Sequence, residues 1–476
     1  MPALSTAAGA VAGVLVLDAL GWGISNDMRF GRALAEFQLA TLPYRIRGAT
    51  MADVWEGTVR GRPGSEALVV DDAVFTFGRL DAAVNCAAAV LARTGWRRGD
   101  TVAVMMVNSP AFIATWLALA KLGVAVAFIN TNLRSSQLVH SIVVAKPAGV
   151  VVDAECTRAL HDALPAIHTR LAAEGGGSSG TGSATLAVLR WVDTSLAGYS
   201  SVGTVVRGAG GSNGGSGKVG GGSGSGSTAA AAAAASTAPT RGRAGIGFTF
   251  EDGPPVEVLM AGVAPAPARV PPPPRSARAG MGMQSVWGYI YTSGTTGLPK
   301  PAVITHLRYF MAGHMMAGVA GITPADRVYC ALPLYHSAGG MIGIGMMITR
   351  GVTVVLAKKF SARGWWADVN RSRATVVQYI GELCRYLVAA PPQPGERTHA
   401  VRLALGNGLR PDVWAKFQDR FGIPAVAEFY ASTEGNATLV NLCTTPEDRG
   451  AVGRYGTIAR ALGIFRLAKY DDDKGA

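Results

Sequence analysis

Residues 101–129 constrain the fold of this chain more than any other stretch. Residues 101–107 form an apolar run fit for a buried strand, and Asn108-Ser109-Pro110 then supplies a helix cap and a proline for the first helical position. Phe112, Trp116 and Leu119 fall on one face of the helix that follows, Gly123 stops it, and 124–129 is a second strand-like run. Strand, crossover helix and strand in that order pair in parallel, so the chain is expected to be an α/β protein. The same alternation returns further on. Residues 401–405 read as a strand, Pro411 opens a helix with Trp414, Phe417 and Phe421 on one face, Gly422 ends it, and 425–430 is the next strand.

Between these units lies Tyr291-Thr-Ser-Gly-Thr-Thr-Gly-Leu-Pro-Lys300, which puts four aliphatic hydroxyls, two glycines and a lysine into ten residues after a short apolar run. Glycines let backbone N–H groups approach phosphate oxygens, hydroxyls add neutral donors, and a lysine sets a mobile charge against a leaving pyrophosphate. A polar turn after a strand is the plainer reading. The segment is not a Walker A loop, because Gly297 stands three residues before Lys300 and Pro301 follows.

At 476 residues the chain has room for two or three domains. Its 44 Lys+Arg against 31 Asp+Glu give a net charge of +13, but no dense basic run or basic-aromatic stripe is present, so an anionic membrane surface is favoured over nucleic acid as a partner. Residues 3–24 are mostly apolar and about long enough to cross a bilayer, although Asp18 weakens that reading; a surface-lying or buried helix is the alternative. Arg29 and Arg32 would keep the main body on the cytosolic side. Five scattered cysteines without C-x-x-C spacing argue for reduced thiols and against a disulfide framework or zinc site. A Gly/Ser tract at 208–227, seven alanines from Ala229 to Ala235 and four prolines from Pro271 to Pro274 mark 172–285 as a low-complexity insertion, much of it expected to be disordered. A linker between independent domains is the competing view.

Four motifs follow one another in order: the hydroxyl-rich loop, Leu332-Pro-Leu-Tyr-His-Ser-Ala-Gly339, Leu405-Gly-Asn-Gly-Leu409 and Glu428-Phe-Tyr-Ala-Ser-Thr-Glu434. The first resembles the phosphate loop of adenylate-forming enzymes, a superfamily that includes acyl-CoA synthetases, peptide synthetases and luciferases. With Ile129-Asn-Thr-Asn-Leu-Arg134 and Gln378-Tyr-Ile-Gly-Glu-Leu-Cys-Arg-Tyr-Leu387, the set resembles the fatty acid transport protein and very-long-chain acyl-CoA synthetase family. The resemblance implies ATP, Mg²⁺ and CoA as cofactor and co-substrates, with a long-chain or very-long-chain fatty acid as substrate. It implies that Thr292, Ser293, Gly294, Thr295, Thr296, Gly297 and Lys300 cradle the ATP phosphates, and that Gly406, Asn407 and Gly408 line the adenine pocket. Tyr430 would flank the base, Thr433 would contact the adenylate phosphate, Glu434 would hold Mg²⁺, and His336 would lie beside the acid's carboxylate. Glu382 and Arg385 are either an exposed i, i+3 pair or a wall of the acyl site.

The fold this implies is the large N-terminal domain of adenylate-forming enzymes: parallel αβα-layered subdomains with a smaller β subdomain. Its parts would be a membrane anchor at 1–26, a first portion of the AMP-binding domain at 48–171, the insertion at 172–285, and a second portion at 286–476. Two departures from the family pattern stand out, Pro301 in place of Gly or Ala and Ala431 in place of Gly. Nothing after Gly453 resembles the family's lid domain with its catalytic lysine, so that domain is expected to be absent and thioester formation impaired. The alternatives are a nucleotide-binding lipid-uptake protein without ligase activity and a ligase for aryl or short-chain acids.

Because the composition of the insertion offers no core, deleting 203–245 is expected to change unfolding free energy by no more than about 1 kcal/mol, the scale of loop-closure entropy. Denaturant titration of both forms checks this, and a larger loss means the segment is packed.

Overall fold

The computed structural model describes residues 24–173, 186–193, 246–248, 256–258, 270–293, 297–435, 437–453 and 456–463. The core of the anchor expected at 1–26, and most of the expected insertion, lie outside them. Among the described residues no helix is long and apolar enough to cross a membrane.

In chain order the elements are α1 (Ile24–Ile46), α2 (Met51–Gly61), β1 (Glu66–Val70), β2 (Ala73–Thr76), α3 (Phe77–Leu91), β3 (Thr101–Met105), α4 (Pro110–Lys121), β4 (Ala125–Phe128), α5 (Ser135–Val144), β5 (Gly149–Val152) and α6 (Ala154–Ala173). Three strands follow, β6 (Ala187–Asp193), β7 (Ile246–Phe248) and β8 (Val256–Val258), then β9 (Val286–Ser293), β10 (Pro299–Thr305), α7 (His306–Val319), β11 (Arg327–Cys330), α8 (Gly345–Arg350) and β12 (Thr353–Leu356). The rest are α9 (Trp365–Arg371), β13 (Val376–Ile380), α10 (Gly381–Ala389), β14 (Leu403–Asn407), α11 (Pro411–Phe421), β15 (Val426–Ala431), β16 (Thr438–Cys443) and α12 (Thr457–Ala461).

These strands make two eight-stranded sheets, ordered β16-β15-β14-β13-β11-β12-β1-β2 and β10-β9-β4-β3-β5-β6-β7-β8. In each the central pairs are parallel, such as β13 with β14 and β3 with β4, while the outermost pairs, such as β15 with β16 and β9 with β10, are antiparallel. Buried parallel strands read as continuous apolar runs, and β4, β5 and β12 are buried at every position. The expected unit at 101–129 is β3-α4-β4. Ser109 caps α4 by accepting from Phe112 N at 3.1 Å, and every residue of that helix is buried. One hydrophobic core draws on both sheets, with Val104 of β3, Trp116 of α4, Tyr329 of β11 and Val354 of β12 in the same cluster.

The span expected to be an insertion is not all outside this framework. Strand β6 pairs in parallel with β5, and β7 and β8 extend the same sheet. Just beyond, Arg278 is buried, with its guanidinium 3.1 Å from Asp53 Oδ1 and 2.8 Å from Glu56 Oε2. The fully buried Lys121 ammonium joins this cluster through Glu56 at 3.9 Å, and Asp81 at 2.7 Å and Asn85 at 2.6 Å hold it from the other side. Burial works to raise the pKa of Asp53, but hydrogen bonds from Arg278 and Thr50 outweigh it and hold the carboxyl at about 2. Local composition predicted a loop here because the partners of Arg278 lie over 200 residues away.

Removing one partner of a buried ion pair leaves the other charge uncompensated, so Arg278→Met is expected to destabilise the chain by about 3–5 kcal/mol. Denaturant unfolding measures this, and a loss below about 1 kcal/mol would show that Asp53 and Glu56 find water instead.

Candidate active site

Three of the four motifs fall where parallel strands β11, β14 and β15 end, the edge at which open α/β sheets bind ligands, and the fourth lies on the β9–β10 hairpin of the other sheet. The chain leaving β11 is fixed by a residue of the other sheet's unit. Asn108 donates from Nδ2 to the carbonyls of Leu332, at 2.9 Å, and Ala357, at 3.1 Å, and accepts from Leu334 N at 2.9 Å. That side chain is satisfied on both its amide atoms, so it sets the start of the Leu332–Ser337 turn. Beyond it, Ala338–Ile344 forms a wide π-type helical turn whose Gly340 carbonyl accepts from Tyr309 OH at 2.9 Å. Such turns concentrate at functional sites.

A second clasp holds β13, β14 and β15. Tyr379, Gly406 and Glu428 occupy matching positions across these three strands. A Cβ at Gly406 would stand 2.6 Å from the Tyr379 ring, so glycine leaves the path by which Tyr379 OH crosses β14 to donate to Glu428 Oε2. The other oxygen of Glu428 accepts from Leu409 N at 3.0 Å. Gly408 sits between at φ +78°, and a Cβ at Gly381 would meet its carbonyl at 1.7 Å. Glu428 is 0% exposed; burial raises its pKa, while the bonds from Tyr379 and Leu409 oppose that rise. Nothing in the local pattern marked Glu428 or Tyr379 as the clasp. The space expected to admit a base at Gly406 is, on its side-chain face, taken by Tyr379.

The clasped loops line a cavity of about 230 Å³. At its polar end are Ser337, Asn407 and Thr433, with Thr433 Oγ1 donating to Ser337 Oγ at 3.3 Å. Arg308 in the first turn of α7 lines the same end and donates from Nη2 to the Gly435 carbonyl. Burial lowers the pKa of Arg308, and the neighbouring Glu434 carboxylate counters that effect. Apart from Ser432 and Thr438, the remaining lining is apolar. Met311, Met315 and Met316 line it from α7, Met341 from the π-type turn and Phe429 from β15. Helix α7 passes close to α8 because Gly313 and Gly345 meet backbone to backbone, where a Cβ at Gly313 would lie 2.3 Å from Gly345 C.

Ser337, Asn407 and Thr433 are thus brought to one cavity. His336 is exposed beside it and not in its lining; the protein around the ring disfavours protonation and lowers its pKa. Glu434 and Tyr430 are likewise exposed and outside the lining, Tyr430 at 60%. Thr292 on β9 lies opposite the exposed Lys300 on β10, and that hairpin is touched by His140 of α5, whose Nε2 is 3.1 Å from Pro299 O. Ser293 ends β9 and Gly297 has φ +79°, whereas Gly294, Thr295 and Thr296 lie outside the described residues. Because β10 runs straight into α7, the strand that carries Lys300 also sets Arg308 at the cavity. Glu382 and Arg385 form an exposed i, i+3 pair at 2.5 Å and do not line this cavity. Among the described residues no cluster of three or more His, Cys, Asp or Glu is placed to hold a metal, and all five cysteines are free.

Residues 55–474 match the family model described as AMP-binding enzyme. The chain is 34% identical over 436 residues to long-chain fatty acid transport protein 6 of Mus musculus, covering 90% of this chain and 58% of that protein. Long-chain fatty acid transport protein 2 of Rattus norvegicus is also 34% identical, over 452 residues, 94% of this chain and 61% of that one. The chain therefore spans about three fifths of the length of the curated relatives it matches. Among solved structures, a fatty acyl CoA synthetase of Mycobacterium tuberculosis superposes with TM-score 0.55 at 18% identity, covering 85% of this chain and 64% of that one. A benzoate CoA ligase of Burkholderia xenovorans does so with TM-score 0.58 at 18% identity, covering 85% and 65%. These structural likenesses establish the fold.

Glu428→Ala strands two buried donors, Tyr379 OH and Leu409 N, and is expected to cost about 1–3 kcal/mol for each. Glu428→Gln keeps an acceptor for Leu409 and is expected to lose less. Equal unfolding midpoints for wild type and Glu428→Ala would show that the clasp carries no load.

Proposed function

The chain belongs to the AMP-binding enzyme family, and from that premise we propose that it activates a long-chain or very-long-chain fatty acid with ATP, through an acyl-adenylate to an acyl-CoA, in step with fatty acid uptake. The observation that carries this reading is the two-ended cavity, with hydroxyls and Asn407 at one end and methionine-rich walls beyond. An unbranched acyl chain needs a long apolar lining that tolerates many conformers, and methionine supplies it because its thioether is unbranched and adaptable. The names of the similar transport proteins and acyl-CoA synthetase agree in substrate class.

In the first half-reaction a carboxylate oxygen of the acid attacks the α-phosphorus of ATP and pyrophosphate leaves. In the second, the CoA thiol gives up its proton, its sulfur attacks the acyl carbon, and AMP leaves. In-line displacement at phosphorus is mostly positioning and charge stabilisation. On this reading Lys300, Thr292 and the loop 293–297 hold the β- and γ-phosphates. Thr433 and Ser337 donate to the adenylate phosphate, His336 orients the carboxylate as a neutral ring, and Asn407, Gly408 and Tyr430 flank the adenine. Glu434 is a hard oxygen donor beside the cavity, fitting Mg²⁺, which takes one or two carboxylates plus substrate phosphates and would neutralise phosphate charge there. A fatty acid partitions into bilayers, so a membrane-associated body facing the cytosol suits this substrate.

Lys300→Ala is expected to weaken ATP binding by roughly tenfold or more, since a charge-assisted contact is worth about 1.5–3 kcal/mol. Titration calorimetry and pyrophosphate exchange with palmitate test this. Unchanged affinity and exchange would remove Lys300 from the site. ATP binding without any acid-dependent exchange would favour a nucleotide-binding lipid-uptake protein instead.

A further inference from the structure

Helix α1 has two apolar faces. Its inner face carries Ala33, Phe37 and Thr41, all buried; Ala33 packs with Met316 and Val319 of α7, and the Phe37 ring lies tilted against Phe310, 6.0 Å between centroids. Arg350 ties Glu36 to the core at 2.8 Å, and Asp27 accepts from Ile458 N at 2.8 Å, capping α12. Phe30, from the same side of the helix, lines the cavity. This face accounts for the position of α1 completely.

The opposite face is not accounted for. Met28, Ala35, Leu39, Leu42 and Ile46 recur at intervals of seven, four, three and four, a single stripe along an α-helix, and all are exposed. Of the fifteen large apolar side chains exposed among the described residues, five are on α1, including the two most open, Ile46 at 75% and Leu39 at 72%. Scattered exposed apolar residues are ordinary, whereas a contiguous stripe marks an interaction site. Arginines 29, 45 and 47 border it and are exposed, and Arg32 beside them pairs with Glu36 at 2.8 Å, while Asp27 is engaged as described. Apolar side chains along a helix with arginines at the flanks fit the headgroup boundary of an anionic bilayer. The preceding residues 3–24 are mostly apolar in sequence.

We propose that the outer face of α1 docks on an anionic phospholipid surface. Since the inner face of the same helix contributes Phe30 to the cavity wall, docking brings the cavity against the lipid and gives a fatty acid a route from bilayer to site. The docking stands on the helix alone; the route rests on the acyl reading of the cavity.

The test labels the full chain with an environment-sensitive fluorophore on Leu42→Cys, in a background where the half-buried Cys86 is serine and the other four cysteines are buried. Vesicles of phosphatidylcholine with phosphatidylserine are expected to blue-shift the label and, when brominated, to quench it. Partitioning should be about tenfold or more stronger than onto phosphatidylcholine alone. A matching label on Val144→Cys of α5 should not respond, and Leu39→Asp with Ile46→Asp should abolish the response without moving the melting temperature. A label at 42 that stays in water while the chain is vesicle-bound overturns the proposal. So does an equal response at 144, or a shift without vesicles, which would place a second copy or residues 1–23 on this face. Adenylation separates the second half. Leu39→Asp with Ile46→Asp should slow use of vesicle-borne palmitate and leave soluble octanoate unaffected. Equal rates remove the route but not the docking, and inactive wild type removes the acyl reading while the label still reports on the face.

Discussion

The buried carboxylate of Glu428 holds the candidate site in shape. It receives Tyr379 from one side of β14 and Leu409 from beyond its end, so three parallel strands and the turn at Gly408 are tied at one point. The tie requires glycine at 406, because any side chain there would block the reach of Tyr379. Motif and clasp are therefore one device: the residues after β14 and β15 can face a ligand because the strands below them cannot slide. Asn108 does the corresponding work after β11, joining the second sheet's unit to the Leu332–Ser337 turn. Between the two clasps Ser337 and Thr433 come within hydrogen-bonding distance, although 96 residues separate them in the chain.

What could be read before folding was what local pattern encodes. The strand-helix units at 101–129 and 401–430 are present within a residue or two, since apolar periodicity, the cap at Ser109, and Pro411 and Gly422 at the ends of α11 are local signals. Asn407 and Thr433 lie at or just past the ends of neighbouring strands, as their motifs' places after apolar runs suggested, whereas nothing in the sequence marked Ser337 as their neighbour. Other features were illegible because their partners are distant. Asn108 looked like part of a helix cap, yet its amide spans to Leu332, and Arg278 sat at the end of a low-complexity span, yet closes a buried ion cluster with Asp53 and Glu56. The second apolar face of α1 was hidden for another reason. Apolar residues on both sides of a helix give no single-sided period, and only packing against α7 shows which side is already used.

Charge and cavity fit together along α7. Its first turn presents Arg308 to the polar end, and its later turns present Met311, Met315 and Met316. Helices rise about 1.5 Å per residue, so the span from Arg308 to Met316 covers roughly 12 Å from polar to apolar surroundings. Strand β10 feeds directly into this helix, placing the strand of Lys300 and the cavity wall on one continuous segment. On the proposed reading, a molecule with an anionic end and a long apolar tail would match that gradient, with its tail toward the part of α7 that α1 covers.

The central claim is that one cavity receives both the adenylate phosphate and the acyl tail. A crystal structure of the chain with a non-hydrolysable palmitoyl-adenylate analogue tests it most directly. The account predicts the phosphate surrogate beside Thr433 and Ser337 and the tail among Met311, Met315 and Met341. A tail outside this cavity, or a phosphate surrogate remote from Thr433, would contradict it.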